Sequence, residues 1–147
     1  MGFSSKAFAA QDALIAAIQD VPALSEWSKD FGLPSVRDEL HLWVDEGVDQ
    51  WEQEAGTTGL VSRNESFRIH VYLYARHTGA TAQEVRNEIN QAADVVADVI
   101  GSEPFLNGVV LYAQIMGAEY GGAFADPEGR VREGYLKITI GCDAFVA

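Results

Sequence analysis

Phe67-Arg68-Ile69-His70-Val71-Tyr72-Leu73-Tyr74-Ala75-Arg76 alternates at every step. Phe67, Ile69, Val71, Leu73 and Ala75 fall on one side of an extended chain, and Arg68, His70, Tyr72, Tyr74 and Arg76 on the other. A period of two marks a strand with one buried face. The flanking residues extend this strand over 62–77. Its second face is amphipathic rather than plainly wet, as expected where another subunit covers it.

Working outward, Leu40, Leu42 and Val44 alternate with His41 and Trp43, which predicts a shorter strand over 39–44. Downstream, Thr81-Ala82-Gln83-Glu84 is a capping box, in which hydroxyl and carboxylate satisfy free backbone donors at a helix start. Val85, Ile89, Ala92, Val96 and Val99 follow at spacings of four and three, so the helix runs over 81–100 with one apolar stripe. Gly101 stands where a left-handed cap belongs, and Pro104 comes after it.

Upstream, Phe8, Leu14, Ile15 and Ile18 share a helical face over 5–20, with Pro22 just past the end. Residues 23–35, punctuated by Gly32 and Pro34, read as loop. Two further strands close the chain, over 109–116 and 132–146. In the last, Leu136, Ile138, Ile140 and Cys142 line one face. The link over 117–131 contains Asp126-Pro127-Glu128-Gly129, a type I turn signature, and Gly121-Gly122, which reads as a bend. The expected fold is α+β: one domain over 1–147, an antiparallel four-stranded sheet with two helices on one face, in the order helix-strand-strand-helix-strand-strand.

The 147 residues suit one core, and 48% hydrophobic with 22% charged residues is an ordinary globular balance. No apolar stretch approaches the ~18 residues of a membrane span. No secretory signal is expected from the first ten residues, and Cys142, the single cysteine, excludes an intrachain disulfide. Ten Lys and Arg against twenty-two Asp and Glu give a formal net charge of −12. A chain that grips duplex DNA presents clustered cations to the phosphates; here they are scattered, so tight DNA binding is disfavoured.

No catalytic constellation emerges. His70 and His77, seven apart on one strand, point to opposite faces and cannot share an ion, and His41 with His70 would supply only two ligands. The carboxylates Asp38, Glu39, Asp45, Glu46, Glu52 and Glu54 sit in a polar segment that reads as a solvated acidic loop. Neither a nucleophile elbow nor a phosphate-binding loop is present. Cys142 reads as a small buried hydrophobe. No catalytic residue, metal or cofactor is assigned. Trp51, in Asp49-Gln50-Trp51-Glu52-Gln53-Glu54, is the odd residue: it either anchors an interface or folds back over its own hairpin.

Taken together, several stretches resemble the tail terminator family of long-tailed phages (siphophages). These are Leu40-His41-Leu42-Trp43-Val44, the acidic Trp-bearing hairpin, Arg63-Asn64-Glu65-Ser66-Phe67 opening a long strand, and the capped helix after His77-Thr78-Gly79-Ala80. The Pro104-Phe105-Leu106-Asn107-Gly108 link and two closing strands fit the same order, over about residues 5–147. The resemblance implies a virion structural protein, not an enzyme. It would form a hexameric ring of identical subunits on the head-proximal end of the tail tube, after synthesis in the host cytoplasm. Its partners would be the tail tube protein and a head connector protein; DNA would pass through the lumen without specific binding, and no membrane is involved. On this reading Trp43, Trp51, Arg63, His70, Tyr72 and Tyr74 are candidate interface residues. Asp45, Glu46, Asp49, Glu52 and Glu54 are candidate channel-lining residues, since carboxylates repel phosphates at short range. The alternatives are a head–tail stopper or tail completion protein, a cytoplasmic α+β module binding a ligand over Tyr72, Tyr74 and His70, and a small enzyme.

Overall fold

A computed structural model of the chain describes residues 4–55 and 63–146. Two helices, α1 (Ala7–Gln19) and α2 (Ala82–Ser102), accompany six strands: β1 (Ser28–Phe31), β2 (Leu40–Val44), β3 (Asp49–Ala55), β4 (Arg63–Thr78), β5 (Tyr112–Phe124) and β6 (Val131–Val146). The class is α+β. The sheet, however, is six-stranded and mixed rather than four-stranded and antiparallel, ordered β1-β2-β4-β6-β5 with β3 also on β4.

The alternating stretch is the centre of the sheet. β4 and β6 pair antiparallel without a slip, from Arg63↔Val146 to Thr78↔Val131. Sixteen residues at ~3.4 Å each give a ladder roughly 50 Å long. The opposite edge of β4 is too long for one short partner. β2 pairs with its Val71–Ala75 half and β3 with its Arg63–Arg68 half, so two strands lie end to end along one neighbour. This explains why the acidic segment, expected as a solvated loop, becomes a strand: unpaired amides and carbonyls on β4 require partners. A bulge between Asp49 and Glu52, with Gln50 at φ 47°, sets β3 in register. The rest of that segment, Gly56–Gly59, lies outside the described residues, as does Ser62.

Between the two halves, the corner is held from α1. The Gln11 side chain is buried, and its Nε2 donates to the carbonyls of Asp45 (3.0 Å), Glu46 (3.2 Å) and Gly47 (3.3 Å). A second correction is β1, inside the expected loop. It carries no alternation of its own, and parallel pairing with β2, Ser28↔His41 to Phe31↔Val44, makes it a strand. A third is β5, which runs on through Gly121-Gly122 to Phe124 where a link and a bend were expected. The type I turn survives beyond it, with the Gly129 amide on the Asp126 carbonyl and Asp126 Oδ1 accepting from the Arg130 and Val131 amides.

Both helices cover the face that carries Phe67, Ile69, Val71, Leu73 and Ala75, all buried. α1 contributes Ala7, Ala10, Leu14 and Ile18; α2 contributes Val85, Ile89, Ala92, Val96 and Ile100. Each fully buried aliphatic stabilises the fold by ~1.5–3 kcal/mol of transfer free energy. The capping box forms as expected, Glu84 N–H to Thr81 Oγ1 and Thr81 N–H to Glu84 Oε1. Gly101 does not break the helix; it stays helical, and the cap falls at Glu103. No helix of the described residues is long and apolar enough to cross a membrane.

Candidate assembly surfaces

The face of the sheet away from the helices carries most of the candidate residues, and their geometry divides them. Trp43 and Tyr72 are directly opposed on β2 and β4, and their rings stack at 5.2 Å and 9°. His41 meets Trp43 edge-on, 6.2 Å away at 79°. Its Nδ1 accepts from the Asp38 amide at 2.9 Å, so the ring hydrogen sits on Nε2 and is donated to Asp30 Oδ2 at 2.6 Å. Tyr74 donates to Glu133 Oε2 at 2.6 Å, and the Arg37 guanidinium lies 4.7 Å from its ring centre. Burial, then the bond to Glu133, raises the Tyr74 hydroxyl above its ordinary pKa.

His70 is buried between Asp49 and Thr139, with Nε2 2.7 Å from Asp49 Oδ2 and Nδ1 3.2 Å from Thr139 Oγ1. Carboxylate, imidazole and hydroxyl stand in the order that acyl-transfer triads use. Nearby depressions are lined by other side chains. One has Gln50, Glu52, Arg68, Gln114, Met116 and Asp143 in its wall; another has Leu33, Arg37, Trp43, Asp45, Tyr72 and Tyr135. Both are open to solvent, and His70 lines neither. The trio joins β3, β4 and β6. His77 is tied in turn to Glu88 of α2. Among the described residues, no three His, Cys, Asp or Glu side chains converge to hold a metal.

Of the expected interface residues, Trp43, His70 and Tyr74 are thus consumed within the subunit, 4%, 5% and 5% exposed. Their packing rigidifies the face. Tyr72 is half-buried under the same stack. Trp51 folds inward on the helix side, edge-on to Phe8 at 5.6 Å, with its indole N–H donated to Glu65 Oε1. This is the geometry of the folded-back alternative, because β3 turns Trp51 towards α1. The Arg63 side chain lies outside the described residues.

Glu65 was missed. It is 2% exposed and accepts from the Ser5 hydroxyl, the Lys6 amide (3.1 Å) and Trp51 Nε1. Its signal was available: Glu65 is in phase with Phe67 and Ile69, a lone carboxylate in an apolar row.

The expected channel residues fare differently. Asp45 is half-buried, while Glu46, Asp49, Glu52 and Glu54 are exposed. Glu52 and Glu54 share a shallow depression with Asp143 of β6, so the acids form a row on the open face.

The surface that the sequence did not reveal is β5. Ala113 alone is buried along its thirteen residues; Tyr112, Met116, Tyr120 and Phe124 are about half exposed, and Ile115 is 39% exposed. Glu119 is its only charge. Glycines make the hairpin smooth: a Cβ on Gly121 would stand 3.1 Å from the Tyr135 ring, and one on Gly141 2.7 Å from Met116 Cγ. Large side chains lie flat across the neighbouring strand where these glycines make room. The chain matches no protein-family model and no curated protein sequence.

Proposed function

We propose that this protein is a virion structural subunit that caps the tail tube of a long-tailed phage as a ring, ending tube growth and presenting the surface that joins the head. The observation that carries this reading is the half-exposed apolar strand β5, set beside an open face whose polar groups are satisfied internally. Such a subunit works through contact surfaces, and no bond-making chemistry is assigned to it. Exposed apolar area of this kind on a small domain marks an interaction site.

The acid row of Asp49, Glu52 and Glu54 suits a lumen that DNA must traverse without being gripped, since like charge keeps phosphates off the wall. The ligand-binding alternative needs His70, Tyr72 and Tyr74 to line a closed pocket, and two of the three are buried in contacts of their own. The stopper alternative differs only in partner.

The test is electron microscopy of tail tubes polymerising with and without the purified protein. Under this reading growth halts at a defined length and a cap appears at one end. Tubes that elongate unchanged with bare ends overturn it. Tubes of unaltered length that now bind heads point to a stopper instead.

A further inference from the structure

Strand β3 carries little that would keep it on the sheet by itself. Among the described residues it pairs with β4 alone, through Asp49↔Arg68 and then Glu52↔Ser66 to Ala55↔Arg63, with a bulge between them and Gln50 at φ 47°. A left-handed residue other than glycine persists only where its surroundings hold it. Asp49, Gln50, Glu52 and Glu54 are exposed, and the two inward side chains, Trp51 and Gln53, are half-buried. By contrast β2, the strand before it, buries Leu42 and Val44 completely.

Much of what holds β3 comes from the N-terminal side. Trp51 lies edge-on to Phe8 at 5.6 Å. Gln53 Nε2 donates to the Ser4 carbonyl at 2.8 Å. Glu65 of β4 accepts from Trp51 and, with the same carboxylate, from the Ser5 hydroxyl and from the Lys6 amide at 3.1 Å. The Ser5 oxygen in turn accepts from the Ala7 amide at 3.0 Å, which ties these contacts to the first turn of α1. Both inward side chains of β3 thus rest on residues 4–8, and Gln11 fixes the bend that leads into the strand. A further tie is Asp49 Oδ2 to His70 Nε2 at 2.7 Å. The rest of the sheet needs none of this: β4 and β6 pair without a slip, and α2 packs on both.

We infer that the segment over 4–8 is a latch for β3. The strand is ordered while that segment grips it, and the two open together as one unit while β4, β6, β5 and α2 stay folded. Proteins open locally in such units, most readily where few apolar groups are buried. Opening bares the β4 edge over Arg63–Arg68 and carries away Asp49, Glu52 and Glu54. The acid row of the open face therefore stands only while the latch is shut, and its bearing on a DNA channel, alone, rests on the tail reading.

Native-state hydrogen exchange in low urea, on the unaltered protein, tests the latch. The Lys6 amide and the β3 amides are expected to exchange through one opening with a common urea slope, at least ~tenfold faster than amides of β6 and α2. The double variant Ser5→Ala/Phe8→Ala, which changes neither β3 nor β4, is expected to speed β3 exchange a further ~tenfold and to leave β6 within ~twofold. β3 amides that open only together with those of β6 overturn the inference. So do β3 amides that open while Lys6 stays protected, and a folded double variant whose β3 exchanges as in the parent. The tube-capping assay reads the other proposal separately. A β3 that opens with Lys6 in a protein that leaves tubes uncapped sinks the tail reading only; a β3 that opens only with β6 in a protein that caps them sinks the latch only.

Discussion

Glu65→Gln probes the point where the N-terminal segment, β3 and β4 meet. The native carboxylate accepts three hydrogen bonds, two at Oε1 from Ser5 and Trp51 and one at Oε2 from the Lys6 amide. An amide in its place keeps its oxygen towards the two side-chain donors and turns its NH2 against the Lys6 N–H. Each retained bond falls from a charge-assisted ~1.5–3 kcal/mol to a neutral ~0.5–1.5 kcal/mol, and the third is lost with its donor unsatisfied. A neutral amide is easier to bury than a carboxylate, which offsets about 1–2 kcal/mol. The net expected loss is about 2–3 kcal/mol. For a chain of this size that lowers Tm by about 5–10 °C. Urea titration followed by tryptophan fluorescence measures it, with the slope unchanged if only the folded state is affected. Trp51→Phe keeps the ring against Phe8 and removes one donor, costing about 1–2 kcal/mol, and the double variant loses less than the two singles together. Parent-like stability in Glu65→Gln, within about 0.5 kcal/mol, refutes the reasoning.

Three other outcomes follow from the packing. Gly134→Ala places a Cβ 3.1 Å from Val85 Cγ1 and 3.2 Å from Ile89 Cδ1, both fixed in the core, so it destabilises by about 1–2 kcal/mol in the same titration despite the entropy removed from the unfolded chain. Thr81→Ala removes the α2 cap and lowers stability by about 1 kcal/mol, with early helix amides exchanging faster by hydrogen exchange. Burial, with Asp143 adding, pushes the Cys142 thiol from 9.0 up to about 12. The neutral thiol is the favoured folded form, so its stabilisation is fully present below pH 9.0 and is lost as pH rises towards 12. Cys142→Ala therefore flattens the alkaline limb of the stability profile, and native protein resists thiol reagents at neutral pH; equal alkaline slopes in parent and variant contradict this.

β4, β6 and α2 were legible because each buries one face and the apolar period records it. β1 and β3 were not. Ser28-Lys29-Asp30-Phe31 and Asp49-Gln50-Trp51-Glu52-Gln53-Glu54 are strands because a neighbour's backbone needed partners, and hydrogen-bond demand leaves no mark on side-chain hydrophobicity. The outer half of β5 was hidden by Gly117, Gly121 and Gly122, which resemble turn residues, although Gly121 makes room for the Tyr135 ring and Gly122 lies beside Tyr120. At the site level, His70, Tyr72 and Tyr74 were correctly placed on one face. Whether they were offered or consumed depended on Asp49, Trp43 and Glu133, residues distant in sequence.

The bend between β2 and β3 is specified elsewhere in the chain. Because Gln11 reads the carbonyls of Asp45, Glu46 and Gly47 rather than their side chains, while the Asp45 carboxylate accepts from the Gly47 amide, a mutational scan should find Glu46 the most permissive of the three. The intolerant position is thirty-four residues upstream, on α1.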